Sequence, residues 1–117
     1  MIEYRHNFPL NPVDVARVFD SSGITRPTDD IPRIARMFAS SNLVISAWAN
    51  EVLVGVCRAL TDYSYCCYLS DLAVDQAFQK HGIGTELIRQ VQSTVGDAVS
   101  LILLSAPGAM SYYPSVG

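Results

Sequence analysis

The spacing of hydrophobic positions along the chain changes character several times, and each change marks an element. Residues 2–5 alternate and predict a short first strand. Asn11-Pro12 then reads as a helix start, an Asn cap followed by a proline whose missing N–H costs nothing at the first helical position. Val15, Val18 and Phe19 fall on one face of that helix, and Gly23 supplies its stop. A second helix is expected from Asp29 or Asp30, which would cap it, with Pro32 in its first turn. Its buried stripe is predicted to be Ile31, Ile34, Ala35 and Phe38, and Ser40-Ser41-Asn42 ends it.

The pattern then turns to strands. Residues 43–49 and 52–60 are β-rich runs joined by Asn50-Glu51, a probable hairpin by composition, and Thr61-Asp62 makes the next turn. Residues 65–74 form a third run, in which Tyr68 and Ser70 are expected on one face with Leu72 and Val74, and Asp71 on the other. From Gly82 the period becomes helical, with Ile83, Leu87, Val91 and Val95 four apart until Gly96-Asp97. Residues 99–104 read as a fully buried strand, and Ala106-Pro107-Gly108 opens a short last helix that Pro114 stops. The order β-α-α-β-β-β-α-β-α predicts an α/β fold of the mixed-sheet kind: an antiparallel meander, a β-α-β crossover, and helices covering the sheet. The 117 residues fit one domain, without repeat, linker or low-complexity tract.

Composition narrows the function classes. Half of the residues are hydrophobic, yet no apolar run reaches the ~20 residues of a membrane span. The start, Met1 to Arg5, lacks the basic and apolar stretches of a signal peptide, so the cytoplasm is the default location. Net charge is −3 and Lys80 is the only lysine, which argues against nucleic acid as a partner. The arginines scatter, with Arg26, Arg33 and Arg36 as the only loose group. Three cysteines, Cys57, Cys66 and Cys67, have neither an even count nor C-x-x-C spacing, so reduced thiols packed in strands are expected, and no metal site. Tyr63, Tyr65 and Tyr68 are likewise read as sheet packing, His81 as exposed loop, and His6 as a residue without an identifiable partner.

The chemistry sits in residues 71–85. A strand ends, a short loop follows, and Gly82 and Gly84 stand where a helix begins. The first turn of a helix carries N–H groups without intrahelical partners and the positive end of the macrodipole. Glycines let an anion approach that backbone, and a phosphate or pyrophosphate is the natural guest. A dinucleotide fingerprint fails because Leu87 occupies the position of its third small residue, and the Gly-Lys-Ser/Thr of a P-loop is absent.

Gln79-Lys80-His81-Gly82-Ile83-Gly84 follows the pattern Gln/Arg-x-x-Gly-x-Gly/Ala and resembles the signature of the GNAT superfamily of N-acetyltransferases. The preceding Asp71-Leu72-Ala73-Val74-Asp75 resembles that superfamily's cofactor-binding strand, and Ala109 to Gly117 its Ala-x-x-aromatic-Tyr-x-x-x-Gly segment. The resemblance implies an acetyl-CoA-dependent N-acetyltransferase acting on a primary amine of a small molecule or peptide. Leu72, Ala73 and Val74 would offer backbone groups to the pantetheine arm of coenzyme A. The amides of Gln79, Lys80, His81, Gly82, Ile83, Gly84 and Thr85 would cradle the pyrophosphate, with the Thr85 hydroxyl adding a bond. Tyr113 falls where the superfamily often places the tyrosine that protonates the departing thiolate. The alternative is a non-catalytic CoA-binding sensor or regulatory module.

Acyl transfer needs a neutral amine, a polarised carbonyl and a proton for the sulfur. Tyr68, Ser70 and Asp71 are candidates to relay the amine's proton through water, and Asp29 and Asp30 candidates to attract a cationic amine. Two departures from the superfamily stand out: Ala106 replaces a common asparagine, and the chain stops at Gly117, before the usual final hairpin. Either the chain is truncated or a second subunit, in a homodimer, completes the sheet.

Overall fold

The computed structural model describes residues 1–103. The elements run β1 (Ile2–His6), α1 (Pro12–Ser22), α2 (Ile31–Ala39), β2 (Leu43–Ala49), β3 (Val52–Thr61), β4 (Cys66–Val74), a 3-10 turn (Gln76–Phe78), α3 (Ile83–Val95) and β5 (Ser100–Leu103). Within those residues this is the order expected from the sequence. The last predicted helix, and Tyr113 with it, lies outside the described residues.

The strands form one sheet in the order β1-β2-β3-β4-β5, antiparallel from β1 to β4 and parallel between β4 and β5. Local chemistry starts each helix as expected: Asn11 Oδ1 accepts the Val13 amide at 2.9 Å and Asp30 Oδ1 the Arg33 amide at 3.1 Å. Gly23, at φ +87°, ends α1 in the left-handed conformation. The sheet has two buried faces. On one, Ile83, Leu87, Ile88, Val91 and Val95 of α3 pack on Leu43, Ile45, Cys57, Leu69 and Val74. On the other, Val15, Val18, Phe19 and Ile34 of α1 and α2 pack on Val44, Leu53, Val56 and Ala73.

Several expectations need correction. Ala35 is exposed and Ile31 and Phe38 are only half-buried, because the short α2 packs chiefly on α1, not on the sheet. The fifth strand is not fully buried: Leu101 joins the α3 core, but Ile102 is 49% exposed. It is the last strand of the described sheet, whereas α1 packs on β3 and β4. Tyr63 and Tyr65 are exposed at the β3–β4 turn and do not pack on the sheet. That turn is organised instead by Asp62, whose Oδ1 accepts the amides of Ser64, Tyr65 and Cys66 at 2.8–3.0 Å. His6 has a partner after all, Gln90 Oε1 at 2.7 Å from Nε2. The cysteines are free thiols, with Cys57 and Cys67 buried.

The largest correction concerns β4. Arg58 pairs with Asp71 but Ala59 with Leu69, so Ser70 is an extra residue, a β-bulge. One extra residue exchanges the two faces of everything beyond it. Cys67 and Leu69 before the bulge, and Leu72 and Val74 after it, therefore share the α3 face. Asp71 and Ala73 turn to the α1–α2 face, where Ser70 Oγ also lies, 3.5 Å from Asp71 Oδ1.

Two predictions test how this frame holds together. A Cβ on Gly55 would stand 3.2 Å from Ile83 Cγ2, 3.3 Å from Ala47 Cβ and 3.4 Å from Leu87 Cδ1, so the start of α3 seats on the sheet only over a glycine. Gly55→Val should destabilise the protein by about 1–3 kcal/mol, read as a lower urea midpoint. An unchanged midpoint would show that α3 shifts without cost. For Asp62, backbone amides, that of Tyr65 foremost, hold the carboxyl down from its ordinary 3.8 to about 2. A depressed folded-state pKa stabilises above the unfolded value and is lost as pH falls through the folded one. Melting temperature should therefore fall more steeply between pH 4 and about 2 in the wild type than in Asp62→Asn; parallel declines would contradict this.

Candidate active site

The site begins along β4. Among the described residues its pairing with β5 runs Cys66–Ser100, Cys67–Leu101, Tyr68–Ile102 and Leu69–Leu103. From Ser70 to Val74 that edge of β4 has no strand beside it among the described residues. The Asp75 amide bonds to Val54 O at 2.8 Å, which fixes the phase of the β3–β4 ladder. By antiparallel alternation, Ala73 and Asp71 direct their backbone groups to β3, whereas Leu72 and Val74 direct theirs to the open edge. Of the three strand residues singled out in the sequence, two thus face the edge and Ala73 belongs to the ladder. The Val74 carbonyl is already taken by Gln79 Nε2 at 2.9 Å, leaving the Val74 N–H and both Leu72 groups.

At the far end of this edge lies the loop into α3. Asp75 Oδ1 accepts the Ala77 amide at 2.9 Å and starts the 3-10 turn. Arg17 of α1 donates to Asp75 Oδ2 at 3.3 Å and to Leu53 O at 2.9 Å, and Ser21 Oγ accepts the Gln76 amide at 2.9 Å. The loop is therefore fastened to α1 as well as to β3. Lys80 and Gly82 both have left-handed backbones, at φ +69° and +80°. A left-handed residue followed by helical ones turns successive N–H groups towards a common point.

Gly82 is the N-cap of α3, and no side chain caps that end. The first helical bond runs from the Glu86 amide to Gly82 O at 3.0 Å, so the amides of Ile83, Gly84 and Thr85 have no intrahelical acceptor. Around a Cβ built on Gly82 there is nothing within 4 Å. Gln79, Lys80, His81 and Thr85 are exposed, while Ile83 and Gly84 are buried against the sheet. The Gln79 amide is the exception among the expected donors, since it already bonds to Gln76 O at 3.4 Å. The only acidic side chain in the first turn, Glu86, is held by Arg89 at 2.5 and 2.8 Å and by Gln90 at 2.8 Å. Arg89 above all keeps it ionised down to a pKa of about 2.

At the other end, beside the bulge, the structure contains a cluster that the sequence did not disclose. Asp71 is fully buried and holds two guanidinium groups. Arg26 Nε, from the α1–α2 loop, donates to Oδ1 at 2.5 Å, and Arg58 Nε, from β3, donates to Oδ2. Arg26 Nη2 also donates to Ser70 O, and Arg58 Nη2 to Ser70 Oγ, both at 2.9 Å. Both Asp71 oxygens are thus engaged, Oδ1 by Arg26 and Ser70 and Oδ2 by Arg58. The alternation of apolar and polar residues through 65–74 could not reveal a bulge, and Arg26 lies 45 residues away in sequence from its partner. Asp29 and Asp30 are exposed in the same loop, Asp30 as the α2 cap.

A separate cleft of about 420 Å³ lies between the β1–α1 loop and the end of α2, walled by Phe8, Leu10, Ile34, Phe38 and Val44. Its polar rim is already engaged: Ser41 Oγ bonds to Met37 O and accepts from Arg58, and Asn42 is bound to both backbone groups of Thr61. Among the described residues no group of three or more His, Cys, Asp or Glu could hold a metal. No helix among them is long and apolar enough to cross a membrane.

The family model described as Acetyltransferase (GNAT) family matches residues 14–117. The chain belongs to the GNAT acetyltransferase family. A similar curated relative is the uncharacterized N-acetyltransferase ycf52 of Gracilaria tenuistipitata var. liui, 26% identical over 95% of this chain. The chain spans 63% of that relative's length. Among solved structures, a probable acetyltransferase from meticillin-resistant Staphylococcus aureus superposes with a TM-score of 0.83 at 14% identity, over 97% of this chain and 86% of that one. The aminoglycoside N-acetyltransferase AAC(6')-Iy, solved in complex with CoA, gives 0.69 at 16% identity, over 96% and 82%. At such identities the likeness is one of fold, and the fold expected from the sequence is this GNAT fold.

The cluster beside the bulge can be tested directly. Asp71→Ala would leave two partly buried guanidinium groups without their carboxylate, which should cost about 3–5 kcal/mol in urea unfolding at neutral pH. A change under about 1 kcal/mol would show that water replaces the carboxylate.

Proposed function

We propose that this GNAT family member transfers the acetyl group of acetyl-CoA to a primary amine of a small molecule or peptide. The observation that carries the reading is the uncapped α3 N-terminus at the end of the open β4 edge. The residues fit the cosubstrate in two respects. The free amides of Ile83, Gly84 and Thr85, the space at Gly82 and the positive helix end suit a pyrophosphate. The unused N–H of Val74 and the N–H and C=O of Leu72 suit an amide-bearing chain lying alongside β4 as a strand would. Lys80, His81 and the Thr85 hydroxyl are exposed at the mouth of the same loop and would add a charge and further donors.

Acetyl-CoA supplies the activated acyl group, a thioester. The chain's own part is positioning: Gln79 ties the loop to Val74, α1 fastens it through Arg17 and Ser21, and the bulge ends the edge beside the α1–α2 loop. Holding the reacting groups in line is worth several kcal/mol of barrier. Tyr113, outside the described residues, is proposed to give the departing thiolate its proton. With both Asp71 oxygens held by guanidinium groups, the amine is proposed to lose its proton to water or to a group other than Asp71. The proposed setting is the cytoplasm, and the proposed assembly a homodimer.

The test is acceptor-dependent thiol release from acetyl-CoA over a panel of amines. Release that rises with added amine supports transfer; saturable CoA binding without such release supports a sensor module instead. Gly82→Asp should abolish CoA binding, because a carboxylate would enter the space meant for a pyrophosphate. Aspartate is among the residues that tolerate a left-handed backbone, so the variant should still fold. Unchanged CoA affinity in a folded variant would remove the loop from the site.

A further inference from the structure

The cluster beside the bulge carries a charge that its own members do not balance. Arg26 and Arg58 bring two positive charges to the single carboxylate of Asp71. Of the five N–H donors of Arg58, four are used, on Asp71, Met37 O, Ser41 Oγ and Ser70 Oγ. Arg26 uses three of five, on Asp71, Thr25 O and Ser70 O, and two have no partner among the described residues. The two also differ in access: the Arg26 side chain is 25% exposed and that of Arg58 12%. Arg26 is therefore the more exposed member of the cluster and has two donors without a partner among the described residues.

Its place matters as much as its charge. Arg26 Nη2 grips the carbonyl of Ser70, the bulged residue of β4. If a pyrophosphate sits at the α3 end of the open edge, the acyl end of the same molecule reaches towards Ser70. An acceptor amine must come within about 3–3.5 Å of the acyl carbon. A bare cationic amine would meet like charge there. An amine that also carries a carboxylate would not, because a guanidinium edge with free donors matches a carboxylate in both charge and geometry.

We propose that Arg26 binds the carboxylate of the acceptor, so that the substrate class is amines bearing a nearby carboxylate, of the amino-acid type. This deepens the acetyltransfer reading and rests on it. Arg58 and Asp71 act as positioning residues: Asp71 holds Arg26 against the bulge, and Arg58 supplies the charge that Asp71 would otherwise cancel.

The experiment compares amino acids with their carboxamides as acceptors in the thiol-release assay, at matched fractions of neutral amine. The carboxylate members should show kcat/KM higher by about ten- to a hundredfold, the range of one or two charge-assisted hydrogen bonds. In Arg26→Gln that ratio should fall to about one, and in Arg26→Lys, which keeps the charge but not the fork, to an intermediate value. A wild-type ratio near one, or a ratio that Arg26→Gln leaves unchanged, overturns the proposal. Thermal melts establish that each variant is folded, and if Arg26→Gln is not, Arg26→Lys decides by the same criterion. If no amine of either kind releases thiol, the acetyltransfer reading itself fails. The substrate proposal is then judged by N-acetylated amino acids and their carboxamides as ligands. A melting-temperature rise given by the carboxylates alone, and lost in Arg26→Lys, upholds carboxylate binding at Arg26; equal shifts or none overturn it.

Discussion

Everything at the candidate site depends on one extra residue in β4. Before Ser70, the odd-numbered residues Cys67 and Leu69 face the α3 core. Without the bulge, Asp71 and Ala73 would follow them, and a carboxylate would be driven into a face lined by Leu87, Val91 and Ile83. An unpaired charge in such surroundings is far too costly to persist. The bulge turns Asp71 to the opposite face, where Arg26 and Arg58 meet it, and returns Leu72 and Val74 to the apolar side. Bulges commonly sit beside active sites, and here one irregularity inverts the faces and houses the ion cluster.

The open edge is held at both ends by the same helix pair. At the loop end, α1 reaches across with Arg17 and Ser21 to Asp75 and Gln76. At the bulge end, the loop that follows α1 delivers Arg26. Both ends are also locally positive, one through the α3 dipole and unpaired amides, the other through a surplus guanidinium. The chain as a whole carries −3. Net charge therefore says nothing about the polarity of the site, where Glu86 is paired with Arg89, Asp75 with Arg17 and Asp71 with two arginines.

What the sequence made legible was whatever depends on local periodicity or backbone chemistry. The caps at Asn11 and Asp30, the stop at Gly23, the hairpin at Asn50 and the start of α3 at Ile83 all follow from neighbours within a few residues. The left-handed Gly82 before α3 was legible for the same reason, because it depends on permissive backbone rather than on distant partners. The misreadings share the opposite property. Which face Tyr68 and Ser70 took, the exposure of Ile102, the partner of His6 and the role of Asp71 were all set by pairings between residues far apart in the chain.

That division bears on how such a site can vary. The end made of main-chain amides asks of the sequence only small residues and an uncapped helix, so it tolerates wide divergence while keeping one guest. The end beside the bulge is made of side chains from β3, β4 and the α1–α2 loop, and each charge there is balanced, or left unbalanced, by a particular residue. Replacing Arg26 alone would change the local charge from surplus to neutral without touching the α3 loop. The charge beside the bulge can therefore shift through the α1–α2 loop while the backbone geometry at the start of α3 stays fixed. The low sequence identities at which this fold is shared, 14% and 16% for the two structures above, are what such a separation of tasks permits.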